Sequence, residues 1–402
     1  GVSWQVILVV IVFISSLFTG MAVLVARFSG ANEPEKVNRV VYQSFLTAAA
    51  LAVIMACVGY VASPTLLNLV NASPEVQQEA LPYMRVMFLG GIGQIMFFML
   101  SGAFRAAGDV RTPLKLGVWL TVLTITFNLI LIPPFGTLGA ALGTVTGNLL
   151  VAVYGMWLIF RPGSVIHVHT GIEKRPDFSI IRALFRFGLP TGIQGIAMNI
   201  AGVMLLRFVG SLQYSAAAQA AYAVGYTQLF SLITWTSVGL MGASATIAGQ
   251  NLGAGNHKRA AQGVVVASRY GLVVATVVGS MFLLIPSRLL QIFGMTEPLV
   301  ASLGIELLQY LSLSGFFVTI ALSYTGGLQG TGDTKSPLVI SIISQVVIPI
   351  GLCTVLQMSR GLAPQDIWMA ILLGHFTRAL LSALRFHQGR WKNISVELEA
   401  SR

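Results

Sequence analysis

The chain has 402 residues, of which 55% are hydrophobic and only 9% charged, and its mean hydropathy is +0.81. A soluble domain carries about a quarter charged residues, so a water-soluble fold is excluded and an all-α, polytopic membrane protein is expected. The formal charge of +11 does not point to nucleic acid, because the basic residues lie in short loops rather than on one face.

In chain order, apolar spans run at about 4–26, 41–63, 82–104, 113–133, 138–160, 184–210, 217–241, 264–286, 302–328, 336–356 and 364–386. Each is near the ~20 residues that cross a bilayer. The first lacks a basic n-region and is too long for a signal-peptide core, so it reads as a transmembrane helix. Cys57 and Cys353 fall inside apolar runs and are expected as buried small hydrophobes, not a disulfide. Of the 24 basic residues, 19 fall in one set of alternate loops and tails, from Arg27 to Arg402; Arg85, Arg207, Arg288 and Arg360 fall in the other, and Arg378 within a helix. The positive-inside rule then puts the C-terminus and the linker 161–183 in the cytoplasm.

One stretch occurs twice. Residues 102–113 read GAFRAAGDVRTP and residues 326–337 read GGLQGTGDTKSP, without gaps at an offset of 224. The matched positions are Gly108 and Gly332, Asp109 and Asp333, Arg111 and Lys335, Pro113 and Pro337. Each copy is expected to make a tight Gly-Asp turn, with Thr112 or Ser336 capping the next helix and Pro at its first position. Asp109 and Asp333 have two readings: local stabilisers of the turns, or parts of a cytoplasmic gate. Pieces around Gly30 and Gly253, and Pro74 and Pro298, keep almost the same offset. Both turns lie on one side with six spans between them, so the halves are parallel, related by a pseudo-twofold along the membrane normal. The expected domains are an N-terminal bundle at 1–160, a linker at 161–183, a C-terminal bundle at 184–386 and a cytoplasmic tail at 387–402. Span 184–210 has no partner in the first half, so one helix of that half is expected to be missing.

These residues, with FGLP at Phe187–Pro190, AGQNLGAGNHKRA at 248–260 and Phe127-Asn128-Leu129, resemble the multidrug and toxic compound extrusion (MATE) family along essentially the whole chain. The resemblance implies two six-helix bundles facing each other in a V around a central cavity. It also implies exchange of organic, often cationic, drugs for Na⁺ or H⁺ by alternating access. The sequence departs from the family pattern where cation-binding carboxylates are expected: Ile132 stands four residues after Asn128, Met198 eight after Pro190, and Val318 in the tenth helix.

No carboxylate falls at mid-membrane; Glu306, about one turn inside its span, comes nearest. An ion-coupled carrier usually keeps an ionisable group there. The neutral polar groups Gln94, Asn128, Gln194, Asn199, Gln219, Tyr222, Gln228 and Gln345 remain. Most are expected to tie helices together at about 0.6 kcal/mol each; Gln94, Asn128, Asn199 and Tyr222 are the candidates for substrate or cation binding. His375 has two readings, a proton carrier or a bundle hydrogen bond with Arg378 snorkelling outward one turn on. His167 and His169 lack the further ligands of a metal site. Trp119, Tyr222, Phe230, Trp235, Phe316, Phe317, Met198 and Met204 are candidate linings for an apolar drug cavity.

Three activities compete. A cation-coupled efflux antiporter is favoured by the duplication and the resemblance. A lipid-linked precursor flippase needs an arginine-lined cavity, for which only Arg207 and Arg378 are candidates. A membrane enzyme needs acidic clusters for Mg²⁺ or a His or Ser constellation, and the sequence offers neither. The expected protein is a monomer in the cell (inner) membrane, bound to lipid and small organic substrates, with no cofactor, no metal and no nucleic acid partner.

Overall fold

A computed structural model describes residues 2–69, 73–168 and 175–396, with the backbone alone for residues 2–11 and Leu69. His169, Glu173, Lys174, Glu397, Glu399 and Arg402 lie outside the described residues. Among the described residues there is no strand, and eleven helices are long and apolar enough to cross a membrane. They are α1 Val2–Gly30, α2 Pro34–Leu69, α3 Pro74–Ala106, α4 Arg111–Phe135, α5 Thr137–Phe160 and α6 Phe178–Gly210, then α7 Ser215–Gly253 and α8 His257–Leu284. After a short α9 (Pro286–Ile292) come α10 Pro298–Gly330, α11 Lys335–Ser359 and α12 Pro364–His387.

Several helices outrun their apolar cores. α2 starts at Pro34 instead of 41 and α8 at His257 instead of 264, while α7 continues to Gly253 instead of ending near 241. Hydropathy marks where hydrocarbon ends, whereas the backbone ladder continues into the interface until a cap stops it. Asn256 supplies one such cap, its side chain accepting from the Arg259 N–H at 3.1 Å. Cys353 is buried as expected, but Cys57 is exposed. Cys57 shares an exposed, apolar side of α2 with Val53, Ile54 and Val61.

The described residues form two compact units, residues up to 192 together with Val396, and residues 193–395. In the first, α3 is the hub, packing on α1, α2 and α5, while α4 packs mainly on α5. In the second, α10 is the hub and packs on α7, α8 and α12. α10 begins and ends 224 residues after α3, and α11 begins and ends 224 residues after α4. The duplication therefore extends to the packing order. In unit 1 the chain segment ahead of α6 is pinned to α2: Asp177 accepts from Arg39 Nη2 at 2.6 Å, and Gln43 Nε2 donates to the Arg175 carbonyl at 2.8 Å.

Candidate functional site

The two Gly-Asp turns share one geometry. Gly108 and Gly332 have φ of 96° and 98°, a left-handed backbone that glycine adopts without a Cβ penalty. The Asp109 carboxylate accepts from the N–H groups of Arg111 and Thr112 at 2.9 and 3.0 Å, and from Thr112 Oγ1 at 2.5 Å. Asp333 accepts from Ser336 N at 3.2 Å and Ser336 Oγ at 2.8 Å. The expected cap is thus corrected: the aspartate is the acceptor and Thr112 or Ser336 donates to it, because an ionised carboxylate outcompetes a hydroxyl for the free N–H groups of the first turn. The helices begin at Arg111 and Lys335, so Pro113 and Pro337 occupy the third position, where the missing N–H still costs nothing. Burial works against the Asp109 charge, but the bonds from Thr112 and Arg111 and the nearby Lys115 outweigh it, and its carboxyl titrates below the usual carboxylate range.

Unit 1 holds a cavity of about 440 Å³ among α1, α2 and α3, the size of a drug-sized ligand site. Met55, Met84, Met87, Phe88 and Phe98 line it, and Gln94 places a single amide in it. Methionine adapts to varied ligand shapes and makes favourable contacts with aromatic rings. Asn128 lies elsewhere in this unit, on α4 against Gly143 of α5, where an added Cβ would collide with its Oδ1. That oxygen is buried and accepts no hydrogen bond. The glycine admits the amide into the α4–α5 contact without satisfying it.

In unit 2 the polar groups gather along α12. Tyr222 stacks on Trp368 (6.2 Å between centroids) and on Tyr226 (5.0 Å). Tyr226 tilts against Phe230 at 5.6 Å, and Phe230 stacks on His375 at 5.8 Å. The ladder forms because Tyr222, Tyr226 and Phe230 recur every fourth residue, on one helical face. Two helices here carry π-helical turns: Ala223–Leu229, within which Tyr226 lies, and Ile342–Val347 of α11. In the first, the Phe230 N–H reaches the Gly225 carbonyl five residues back at 3.0 Å. The second lies just before Pro349, whose missing N–H leaves the Gln345 carbonyl without its helical donor. α12 comes close at this irregular point: a Cβ added at Gly374 would lie 2.6 Å from the Ser344 carbonyl oxygen and 3.4 Å from Gln345 Nε2. His375 Nδ1, Gln345 Nε2, Trp368 Nε1 and Arg378 Nε are all buried without a hydrogen-bond partner. Unsatisfied polar atoms at this density are rare in a folded interior, and single-turn π-bulges favour functional sites.

The sequence candidates therefore separate. Gln94 lines the unit 1 cavity, and Tyr222 and His375 join one ladder in unit 2. Asn199 is exposed and donates to the Gly195 carbonyl of its own helix at 2.8 Å. Gln194 links three helices, donating to Ser341 Oγ at 2.8 Å and accepting from Gln329 Nε2 at 3.2 Å. Trp119, Trp235 and Met204 are exposed, not lining either site. Tyr226, Trp368 and the methionine face of α3 went unread in the sequence. Met84, Met87, Phe88, Gly91, Ile95 and Phe98 recur at three- and four-residue steps, a stripe that was there to be found.

A sequence model of the MatE family matches residues 1–130 and 190–355. A Thermotoga maritima protein described as probable multidrug resistance protein NorM is 26% identical, over 98% of this chain and 85% of its own. Multidrug resistance protein PmpM of Pseudomonas aeruginosa is 24% identical, over 90% and 77%. Among solved structures, an outward-facing multidrug resistance MATE family transporter of the MOP superfamily superposes with a TM-score of 0.89 at 20% identity, covering 97% of this chain and 87% of that one. That likeness shows the fold.

Proposed function

The chain belongs to the MatE family, whose members are transporters and not enzymes, and from that premise we propose that it exports small organic molecules, often cationic, in exchange for H⁺ or Na⁺ by alternating access. In this reading it lies in the cell (inner) membrane with its C-terminus in the cytoplasm. The observation that carries the proposal is the extent of the relationship, which runs through nearly the whole chain to proteins named for multidrug resistance. The methionine- and aromatic-lined cavity around Gln94 supports it, since such a lining accepts many apolar ligands and fixes few.

Of the two ions, H⁺ has the better support in unit 2. Among the described residues the unpartnered groups there are an imidazole, an amide, an indole, a guanidinium and the hydroxyls of Ser244, Ser314, Ser323 and Ser382, with no carboxylate to balance the charge of a metal cation. An imidazole can carry a proton alone. The test is uptake of ethidium into everted vesicles under ΔpH and Na⁺ gradients imposed separately. ΔpH-driven uptake is expected, reduced at least ten-fold (on the order of 1.4 kcal/mol) in His375→Gln. Full ΔpH-driven uptake in that variant removes His375 as the carrier. Dye movement under neither gradient removes the transporter reading itself.

A further inference from the structure

Unit 2 carries a second cavity, of about 810 Å³, on the outer flank of α8. His257, Lys258 and Arg269 of α8 and Lys392 of the following 3₁₀ turn line it, with Ala261 and Val265 as its floor. No carboxylate contributes to the lining, and among the described residues none of Lys258, Arg269 and Lys392 forms an ion pair. The mouth is held in place. Trp391 is buried, stacks on Phe386 at 4.9 Å and donates its Nε1–H to the Phe386 carbonyl at 2.8 Å, which fixes Lys392 beside the groove. Lys258 and Arg269 are eleven residues apart, on one face and about 16 Å along the axis. From Val266, itself in the lining, the adjoining face about a fifth of a turn around the helix runs on as an exposed apolar stripe: Val266, Tyr270, Val273, Val277 and Leu284.

The geometry points to a binding site for an anionic phospholipid, its phosphate between Lys258, Lys392 and Arg269 and its acyl chains along the stripe from Val266 to Leu284. A basic mouth running into an apolar track matches a lipid's two parts, whereas a soluble phosphate would use only the first. Arg269 lies within the apolar run but can extend its guanidinium back to the headgroup level. The site is separate from the ladder and from the unit 1 cavity, and does not depend on the proposed transport.

The test is native mass spectrometry of the purified full chain in detergent with added phosphatidylglycerol, phosphatidylcholine or inorganic phosphate. Each basic residue near a membrane surface strengthens anionic lipid binding about five-fold. Lys258→Gln with Lys392→Gln is therefore expected to weaken phosphatidylglycerol retention on the order of twenty-fold, leaving phosphatidylcholine unchanged. Arg259→Gln, on the same helix but outside the lining, is expected to retain the lipid. Equal losses in the double variant and Arg259→Gln would mean general charge attraction and overturn the site. Phosphatidylcholine held as well as phosphatidylglycerol, or inorganic phosphate competing the lipid off at millimolar levels, would overturn the lipid assignment. If the double variant does not fold, Lys392→Gln alone, on an exposed turn, is expected to show the five-fold step, and no step overturns the proposal.

Discussion

The two Gly-Asp turns have the same backbone but different surroundings. Asp109 is half-buried and its bonds are all to the following turn. Asp333 is buried and also accepts from Arg385 Nε and Nη2 of α12, both at 3.0 Å. Arg161, which stands 224 residues before Arg385 just past α5, lies over the Trp157 ring at 5.5 Å. The helices that follow diverge too. α4 stays α-helical from Arg111 to Phe135, with Pro133 and Pro134 only in its last turn, while α11 carries its π turn at Ile342–Val347. Pro349 occupies the position equivalent to Ile125, so one residue removes a mid-helix donor in the second copy alone. A duplicated frame thus keeps its turns and hubs and varies where the helices meet polar groups.

The strongest way to break this contrast is to move the proline. Ile125→Pro places it in the middle of α4, where it removes the N–H that bonds the carbonyl four residues back. A loss of on the order of 3 kcal/mol is expected, read as a sharp fall in folded yield and thermal midpoint. Pro349→Ala should act the other way. The restored N–H can bond the Gln345 carbonyl, tightening the turn and drawing the amide away from Gly374. Stability is expected to hold or rise while ΔpH-driven ethidium uptake falls several-fold. Unchanged uptake would mean that the irregular turn does not serve transport.

Removing the aspartates sharpens the comparison at a smaller scale. Asp109→Ala loses a helix cap, at a cost of about 1 kcal/mol. Asp333→Ala loses the same cap and one of two partners of the half-buried Arg385 guanidinium, which keeps its bond to Gln388, so a cost of roughly 2 kcal/mol is expected. Thermal unfolding in detergent should rank them in that order. Arg385→Gln should then make Asp333→Ala no worse than Asp109→Ala. Equal midpoints for the two alanine variants would show that the Arg385 pair contributes nothing.

Much of the fold was legible because its signals are local. Eleven apolar runs, the repeated turn and the offset of 224 predicted the spans and their pairing, and the hubs α3 and α10 follow that offset. The candidate site was only partly legible. Gln94, Tyr222 and His375 stand out as polar residues in apolar runs, yet the fourfold spacing of Tyr222, Tyr226 and Phe230 that joins two of them was not used. The π turns escape any 3.6-residue pattern because they insert a residue without changing hydropathy, although Pro349 was a visible sign. The Asp333–Arg385 pair spans 52 residues of sequence, and nothing in either local stretch announces the other.

The smallest expected effect concerns acid. Asp109 and Asp177 both titrate below the usual range: burial alone would raise them, but hydrogen bonds and the charges of Lys115 or Arg39 prevail. A depressed carboxyl contributes stability that is fully present above its unfolded value, about pH 4, and is lost as pH falls through the folded value. Both groups lie near the surface, where solvent screens the charge terms, so each should contribute well under the cost of losing a cap. Between pH 7 and 5 the unfolding midpoint should therefore not respond to either group, and a decline that both support should begin below about pH 4. Asp109→Asn should flatten part of that decline, and Asp177→Asn a part involving Arg39 and α2. If Asp109→Asn leaves the acid limb unchanged, the first turn is held by its backbone bonds and Gly108 alone, and its carboxylate adds nothing to unit 1.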